Sequence, residues 1–196
     1  MAVDASAPVI RPADLSGPDA VVVSAAVGAY LRQTEAEKRR EGLAPRHDGG
    51  DALPERYRAE FDDPAAAYAG FPVLLADVDQ VTMGVVVLAR LDGAAEIKRL
   101  WAAPAARGRG IGSALLDAAV AAAEGPVRLS VWDWRAAAVR LYESRGFVRV
   151  PSWDGRDRLI CMMRQDRWRP AADQANALIP VMSRPSSSAC TLSVPS

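Results

Sequence analysis

Residues 101–116 read Trp-Ala-Ala-Pro-Ala-Ala-Arg-Gly-Arg-Gly-Ile-Gly-Ser-Ala-Leu-Leu, and this stretch decides the fold. It joins the end of a predicted strand, a loop of glycine and arginine, and the first turns of an apolar-striped helix. Glycines let backbone N–H groups crowd together, and the first N–H groups of a helix carry about half a positive charge. Arg107 and Arg109 add full charges. The stretch therefore predicts a site for phosphate groups.

Three kinds of phosphate-binding loop compete for this stretch. A Walker loop is excluded because no lysine follows the last glycine. A dinucleotide fingerprint would need glycine where Ser113 stands, and residues 96–99 are too charged for a strand buried on both faces, although Asp133 lies at a suitable distance downstream. The third kind, Arg/Gln-x-x-Gly-x-Gly/Ala, matches the run from Arg107 to Gly112.

This third pattern, together with two further blocks, resembles the GCN5-related N-acetyltransferase (GNAT) superfamily. Residues 129–132 and 138–147 are similar to a strand of the family and to the helix that ends in Leu-Tyr-Glu-x-x-Gly-Phe. Residues 96–101 are similar to its fourth strand. The resemblance covers about residues 9–164. It implies an α/β GNAT fold, a mixed and mostly antiparallel sheet of about seven strands, splayed between strands four and five and flanked by about four helices.

The hydrophobic pattern predicts the order of the elements. A strand over 9–11 precedes a helix over 17–40, whose mixed-charge run at 32–41 we interpret as a solvated face. A short helix over 54–61 ends at Asp63-Pro64. Three strands follow in a row between 72 and 101, with Asp92-Gly93 as a hairpin turn. The remainder is a helix over 111–122, a strand over 127–132, a helix over 134–145 and strands over 147–150 and 159–163.

The composition suits one domain and has no excess charge that would attract a partner of opposite charge. The chain has 196 residues, half of them hydrophobic, and a formal net charge of zero, so nothing draws it to nucleic acid or to a membrane surface. No signal peptide and no run of about 18 apolar residues is present. We divide the chain into an N-terminal extension (1–8), the GNAT domain (9–164) and a largely disordered C-terminal tail (165–196).

Cysteine and histidine usage predicts a reduced, cytoplasmic protein without a metal site. Cys161 and Cys190 match no metal or redox spacing. The only histidine, His47, lies in a stretch that we interpret as a loop, and a metal site would need more ligands.

The resemblance implies acetyl-CoA as the acyl donor and assigns two groups of residues to it. The family binds the pyrophosphate with the loop that corresponds here to Arg107, Gly108, Arg109, Gly110, Ile111, Gly112 and Ser113, and pairs the pantetheine arm with the fourth strand, here Leu100, Trp101 and Ala102. Ile97 and Leu100 are three positions apart, which strict alternation cannot place on one face. We therefore expect a β-bulge between them.

Acetyl transfer also needs a base and an acid. Some family members place a glutamate in a matching Glu-Ile pair, so the resemblance implies Glu96 as the general base, directly or through water, with Asp133 as the alternative. Tyr142 matches the tyrosine that protonates the coenzyme A thiolate. Arg135 stands where many relatives carry asparagine, seven residues before this tyrosine, and it could reach a phosphate, pair with Asp133 or face solvent.

The sequence thus predicts transfer of an acetyl group from acetyl-CoA to a primary amine of a small molecule or peptide. One alternative is a non-catalytic acyl-CoA-binding regulatory module, which the presence of Glu96 and Tyr142 disfavours. A second, a nucleotide-binding oxidoreductase domain, would need strands that alternate with helices from the start. Trp101, Trp132 and Trp134 bracket the cleft in sequence, and we interpret them as core in preference to an acceptor-stacking site. The acceptor and a homodimeric state are left open.

Overall fold

Strands and helices in the computed structural model, which describes residues 7–44, 53–91 and 93–164, follow the predicted order. The strands are β1 (Val9–Pro12), β2 (Val73–Val78), β3 (Val81–Leu91), β4 (Ala94–Ala102), β5 (Val127–Trp132), β6 (Val148–Val150) and β7 (Leu159–Arg164). The α-helices are α1 (Asp19–Arg40), α2 (Arg58–Asp62), α3 (Pro64–Ala67), α4 (Ile111–Ala122) and α5 (Ala136–Ser144), and two 3₁₀ turns cover Glu55–Tyr57 and Pro104–Ala106.

The seven strands of the described residues form one sheet in the order β1-β2-β3-β4-β5-β7-β6. Every neighbouring pair is antiparallel except β4 and β5, which are parallel. A parallel pair needs a crossover connection, and α4 supplies it here. The predicted mixed, mostly antiparallel GNAT sheet is confirmed.

β4 and β5 separate soon after they begin to pair. Their register joins only Ala95–Ile97 to Val127–Leu129, although β4 continues to Ala102 and β5 to Trp132. β5 instead pairs with β7 along its whole length. The predicted splay is therefore present, and it opens a wedge in the middle of the sheet.

The predicted β-bulge lies on the other side of β4. Val85 of β3 is opposite Trp101 and Val87 is opposite Lys98, so one residue of β3 faces two residues of β4. Arg99, inside the bulge, has a φ of +54°, a left-handed value that is uncommon for a side chain of this size. The bulge turns β4 at the level where it leaves β5.

The core consists of two layers, one on each face of the sheet. α1 buries Val23, Val27 and Leu31, which are spaced four residues apart on one helix face. In β3, Val85 belongs to the layer under α1 and Val86 to the layer under α4, as the alternation of a strand requires. The two layers hold α1 and the start of α4 on opposite faces of the same wedge.

Gly84 in β3 allows α4 to lie close to the sheet. A Cβ at this position would lie 2.8 Å from Leu115 Cδ1, 2.9 Å from Ile111 Cγ2 and 2.9 Å from the carbonyl oxygen of Trp101. The carbonyl belongs to the backbone of β4 and cannot rotate away. Only glycine fits, and its small size sets the height of the α4 N-terminus beside β4.

Local hydrogen bonds explain two differences from the predicted elements. The second short helix ends before Asp63-Pro64 as predicted, but Asp63 Oδ1 accepts a hydrogen bond from Ala66 N (3.0 Å) and caps one further turn, α3. α5 begins at Ala136 rather than at Trp134, because Arg135 N donates to Trp132 O (3.0 Å) in a preceding turn. Predictions for residues 1–6, for the loop around His47, for Asp92 and for the tail at 165–196 lie outside the described residues.

Candidate active site

The wedge between β4 and β5 opens into a cleft of about 720 Å³. β4 and β5 form its walls, and α1 and α5 close it on either side. Its lining includes residues 96–102 of β4, residues 129–132 of β5 and Tyr142 of α5. The cleft is large enough for the arm of a coenzyme and a small acceptor together.

The glycine loop enters α4 beside this cleft. Gly108 and Gly110 both have a φ of +79°, and a Cβ at either position would meet nothing within 4 Å. The first hydrogen bond of α4 runs from Ala114 N to Gly110 O (2.9 Å). The preceding N–H groups, those of Ile111, Gly112 and Ser113, therefore have no acceptor inside the helix, and they form the positive end of its dipole.

Loop side chains differ in where they point. Arg107 lines the cleft, and its Nη2 donates to Gln33 Oε1 of α1 (2.6 Å). Arg109 is exposed. Ile111 is only 1% exposed and packs in the core, so only its backbone N–H is available to a ligand.

The second half of β4 offers a backbone edge to the cleft. Beyond Ile97 the strand has no partner on the β5 side, whereas on its other side Trp101 and Ala102 pair with β3. Leu100, Trp101 and Ala102 all line the cleft. An extended ligand can add to such an edge as a further strand does.

Tyr142 is placed inside the cleft by α5. The side chain is 7% exposed, and its ring packs against Phe147 at a centroid distance of 6.0 Å. Burial, with a smaller contribution from Tyr30, raises the pKa of the Tyr142 hydroxyl above its usual value. The hydroxyl therefore keeps its proton at neutral pH and is available as a donor.

Glu96 lies at the closed end of the wedge, where β4 and β5 still pair. Its carboxylate accepts a hydrogen bond from Arg128 Nε (2.9 Å) and lies 3.6 Å from Lys98 Nζ. Its side chain is 13% exposed and lines the cleft. The structure thus brings the first candidate base into the same cleft as Tyr142.

The alternative base, Asp133, does not point into the cleft. Its carboxylate pairs with Arg158 (3.0 Å), its side chain is 38% exposed, and it does not line the cleft. The structure does not bring this alternative base to Tyr142.

Arg135 neither pairs with Asp133 nor faces solvent, which were two of the three possibilities left open by the sequence. Its Nε donates to Glu37 Oε2 (2.7 Å) and its Nη2 to Thr34 Oγ1 (2.8 Å), both on α1. Its guanidinium also lies 5.3 Å from the centre of the Tyr30 ring. Burial would lower the pKa of Arg135, but the charge of Tyr30 and the bonds to Glu37 outweigh it, so the pKa is raised.

One face of α1 belongs to the site, which the sequence analysis missed. Tyr30, Gln33, Thr34 and Glu37 line the cleft, and their spacing of three and four residues marks one side of a helix. The interpretation of residues 32–41 as a solvated face was wrong for this side of α1. The polar stripe at helical spacing was the signal that could have revealed it.

Tyr30 lies between two guanidinium groups. The Arg99 guanidinium is 5.6 Å from the ring centre, close to the 5.3 Å of Arg135. Burial raises the pKa of the phenol, but the positive charges of Arg135 and Arg99 outweigh burial, so the pKa lies below its ordinary value.

The bulge residue Arg99 is tied to the helix opposite. Its Nε donates to Glu60 Oε2 of α2 (2.6 Å), and Tyr68 also donates to that oxygen (2.8 Å). Burial alone would raise the pKa of Glu60, but Arg99 lowers it below the ordinary value. The pair joins α2 to the bulge of β4.

The three tryptophans line the cleft, which corrects their interpretation as core alone. Trp132 is buried at 7% exposure, and its ring stacks on Trp134 at 4.8 Å with an angle of 13°. Trp101 donates from Nε1 to Gln33 Oε1 (3.4 Å). All three rings contribute apolar surface to the walls.

Comparison with known proteins agrees with this geometry. The sequence model of the Acetyltransferase (GNAT) family matches residues 34–147. The chain belongs to this family. The match runs from the second half of α1 to the residues just after α5, and so includes the glycine loop, the splayed strands and Tyr142.

Solved structures of GNAT proteins share the fold. An acetyltransferase of the GNAT family from Staphylococcus aureus has a TM-score of 0.57 at 17% identity, covering 81% of this chain and 99% of its own. The PaiA N-acetyltransferase from Thermoplasma acidophilum, solved with coenzyme A, has a TM-score of 0.57 at 18% identity, covering 82% and 99%. YncA from Salmonella typhimurium, solved with acetyl-CoA, has a TM-score of 0.54 at 21% identity, covering 85% and 98%.

Among the described residues, no three side chains of His, Cys, Asp and Glu come together as metal ligands would. Within the same residues, no helix combines the length and apolar character needed to span a membrane.

Proposed function

We propose that this GNAT protein transfers the acetyl group of acetyl-CoA to a primary amine of a small molecule or peptide. The observation that carries the proposal is one cleft lined by three features: Arg107 of the glycine loop that leads into α4, the free edge of β4 and the hydroxyl-bearing Tyr142. The domain that does this spans residues 9–164, and we propose a cytoplasmic location for it.

The donor half of the cleft fits a coenzyme A thioester. The space beside Gly108 and Gly110 is open, and the first N–H groups of α4 point outward for an anion. Arg107 adds a full charge whose partner, Gln33, is neutral. The edge formed by Leu100, Trp101 and Ala102 would pair with the amide groups of the pantetheine arm.

Acetyl-CoA would supply the acetyl group as a thioester, whose carbonyl carbon bonds to the amine nitrogen while its carbon–sulfur bond breaks. Tyr142 would then give its proton to the departing sulfur. Glu96, directly or through water, would take the proton that the amine loses. A backbone N–H at the bulge of β4 would donate to the carbonyl oxygen as negative charge develops there.

The acceptor half of the cleft is bounded by α1, by Tyr57 just before α2 and by the tryptophans. Two of its cations are paired with the protein's own acids, Arg99 with Glu60 and Arg135 with Glu37. This balance supports an amine of low charge in preference to a polyanionic acceptor. The stacked rings of Trp132 and Trp134 add an apolar wall for its body.

The alternative function is a non-catalytic module that binds acyl-CoA. It predicts binding without turnover, so one pair of measurements separates the two. Native mass spectrometry with acetyl-CoA, coenzyme A, NAD and ATP would first test donor choice, and we expect only the first two to bind. A panel of primary amines would then be assayed for release of free thiol from acetyl-CoA, with the Tyr142→Phe variant as control.

Thiol release that depends on an amine and falls in the variant would support the transferase. Tight binding with no release on any amine would favour the module. Binding of NAD in place of coenzyme A would overturn both.

A further inference from the structure

A chain of hydrogen bonds crosses the cleft on α1. Gln33 Oε1 accepts from Arg107 Nη2 (2.6 Å) at the pyrophosphate loop, while Gln33 Nε2 donates to Glu37 Oε1 (2.7 Å) one turn along the helix. Glu37 Oε2 accepts in turn from Arg135 Nε (2.7 Å) and from Trp134 Nε1 (3.1 Å). We name these five residues the α1 relay.

The α1 relay joins the two halves of the proposed site. Arg107 belongs to the donor half, and Trp134 and Arg135 belong to the connection between β5 and α5 on the acceptor side. β4 and β5 have no backbone hydrogen bonds to each other at this level. The relay therefore connects the two walls where the sheet itself does not.

We propose that Gln33 and Glu37 are positioning residues that hold Arg107 ready for the coenzyme pyrophosphate and couple coenzyme binding to the acceptor wall. The inference rests on the proposed function, since it needs coenzyme A to bind at Arg107. Gln33 and Glu37 need not touch either substrate, because each acts through an arginine.

Gln33 leaves Arg107 able to bind an anion. A guanidinium has five N–H donors, and Arg107 uses one on Gln33 and one in a long bond to the carbonyl oxygen of Ala102 (3.4 Å). The remaining donors are available to phosphate. A long side chain held in advance loses less freedom on binding, so the contact raises affinity for the anion.

Glu37 supports the contact between Gln33 and Arg107 from the acceptor side of the cleft. It fixes the amide of Gln33 with the oxygen of that amide turned toward Arg107, because the Nε2 end is engaged by the carboxylate. Burial would raise the pKa of Glu37, but its bonds from Gln33, Trp134 and Arg135 lower it below the usual value, so the carboxylate stays ionised at neutral pH.

The test measures the affinity of coenzyme A by calorimetry in variants of α1. Gln33→Met keeps the length of the side chain but removes all three of its hydrogen bonds, those from Arg107 and Trp101 and the one to Glu37. We expect affinity about 3- to 10-fold weaker, the effect of immobilising one long side chain. Glu37→Met should weaken binding about 2- to 5-fold by the same route. If charge alone mattered, Glu37→Met would instead raise the affinity for coenzyme A, because loss of an acid favours a polyanionic ligand.

Three controls separate positioning from a merely structural role. Glu37→Gln retains an oxygen for the Gln33 amide and should bind coenzyme A within about twofold of the wild type. Glu143→Met, the same change on α5 at an acid that pairs with Arg149, should leave affinity unchanged. In the Gln33→Met background, Glu37→Met should have no further effect, because the connection is already broken.

Equal weakening by Glu37→Met in both backgrounds would overturn the relay, as would wild-type affinity in Gln33→Met. Thermal denaturation of each variant identifies a folding defect. If one of the two methionine variants does not fold, the other decides, because the relay predicts weaker binding of coenzyme A in each. Failure of the wild type to bind coenzyme A would instead overturn the proposed function itself.

Discussion

Replacing Gly110 by leucine separates the cost to the fold from the cost to the phosphate site. Gly110 has a φ of +79°, and a Cβ there meets nothing within 4 Å. The folded state therefore loses only the energy of a left-handed backbone, about 1–2 kcal/mol. For a chain of this size we expect Tm to fall by about 2–8 °C.

Coenzyme binding should suffer far more. The open space beside Gly110 is where the phosphate would approach the N–H groups of α4. A hydrogen bond to a charged group contributes about 1.5–3 kcal/mol, so losing one raises Kd at least about tenfold and losing two raises it a hundredfold or more. Calorimetry with coenzyme A measures this change.

Gly70→Leu is the matched control. Gly70 lies between α3 and β2 with a φ of +76°, and its Cβ also would meet nothing within 4 Å. Its Tm should fall by a similar amount while its affinity for coenzyme A stays normal. Wild-type affinity in Gly110→Leu, or equal loss in both variants, would refute the assignment of the loop.

Four further results are expected. Tyr142→Phe should keep coenzyme affinity and lose about 10²-fold in turnover, measured by thiol release, because only the proton donor is removed. Glu96→Gln should slow the reaction most at neutral pH and least near pH 10, where the amine is already deprotonated. Asp133→Asn, outside the cleft, should change the rate little. The reverse ranking of the two variants would move the base to Asp133. Gly84→Ala should lower the free energy of unfolding by about 1–3 kcal/mol in urea titration, since its methyl overlaps backbone, and an unchanged midpoint would contradict this. The pKa of Glu60 is lowered in the folded state, so the ionised carboxylate stabilises the fold above about pH 4.3, and this stabilisation is lost as the pH falls through the folded-state pKa. Glu60→Gln should therefore make Tm depend less on pH in this acid range.

Local signals in the sequence predicted the donor half of the site. The run from Arg107 to Gly112 predicted a loop and the start of α4, because glycine spacing and helix-start rules act over a few residues. Ile97 and Leu100 predicted the bulge, because a strand permits only one alternation. The strand order and the splay came from the resemblance to GNAT proteins, not from these local rules.

The acceptor half depended on contacts between distant segments. Trp134 and Glu37 are 97 positions apart, and Arg135 meets Glu37 across 98 positions. A polar stripe on α1 has the same pattern whether it faces water or a cleft, and only the packing of its apolar stripe on the sheet decides which.

The sequence by itself predicted where phosphate would bind, because backbone N–H groups at a glycine loop are a local property. Tertiary structure alone decided which of the two candidate acids lines the cleft. Glu96 and Asp133 are both carboxylates on or beside a strand, but the parallel pairing of β4 with β5 leaves Glu96 inside the wedge, while the turn after β5 directs Asp133 to Arg158. A side chain's access to a cleft is set by the walls around it, and those walls come from elsewhere in the chain.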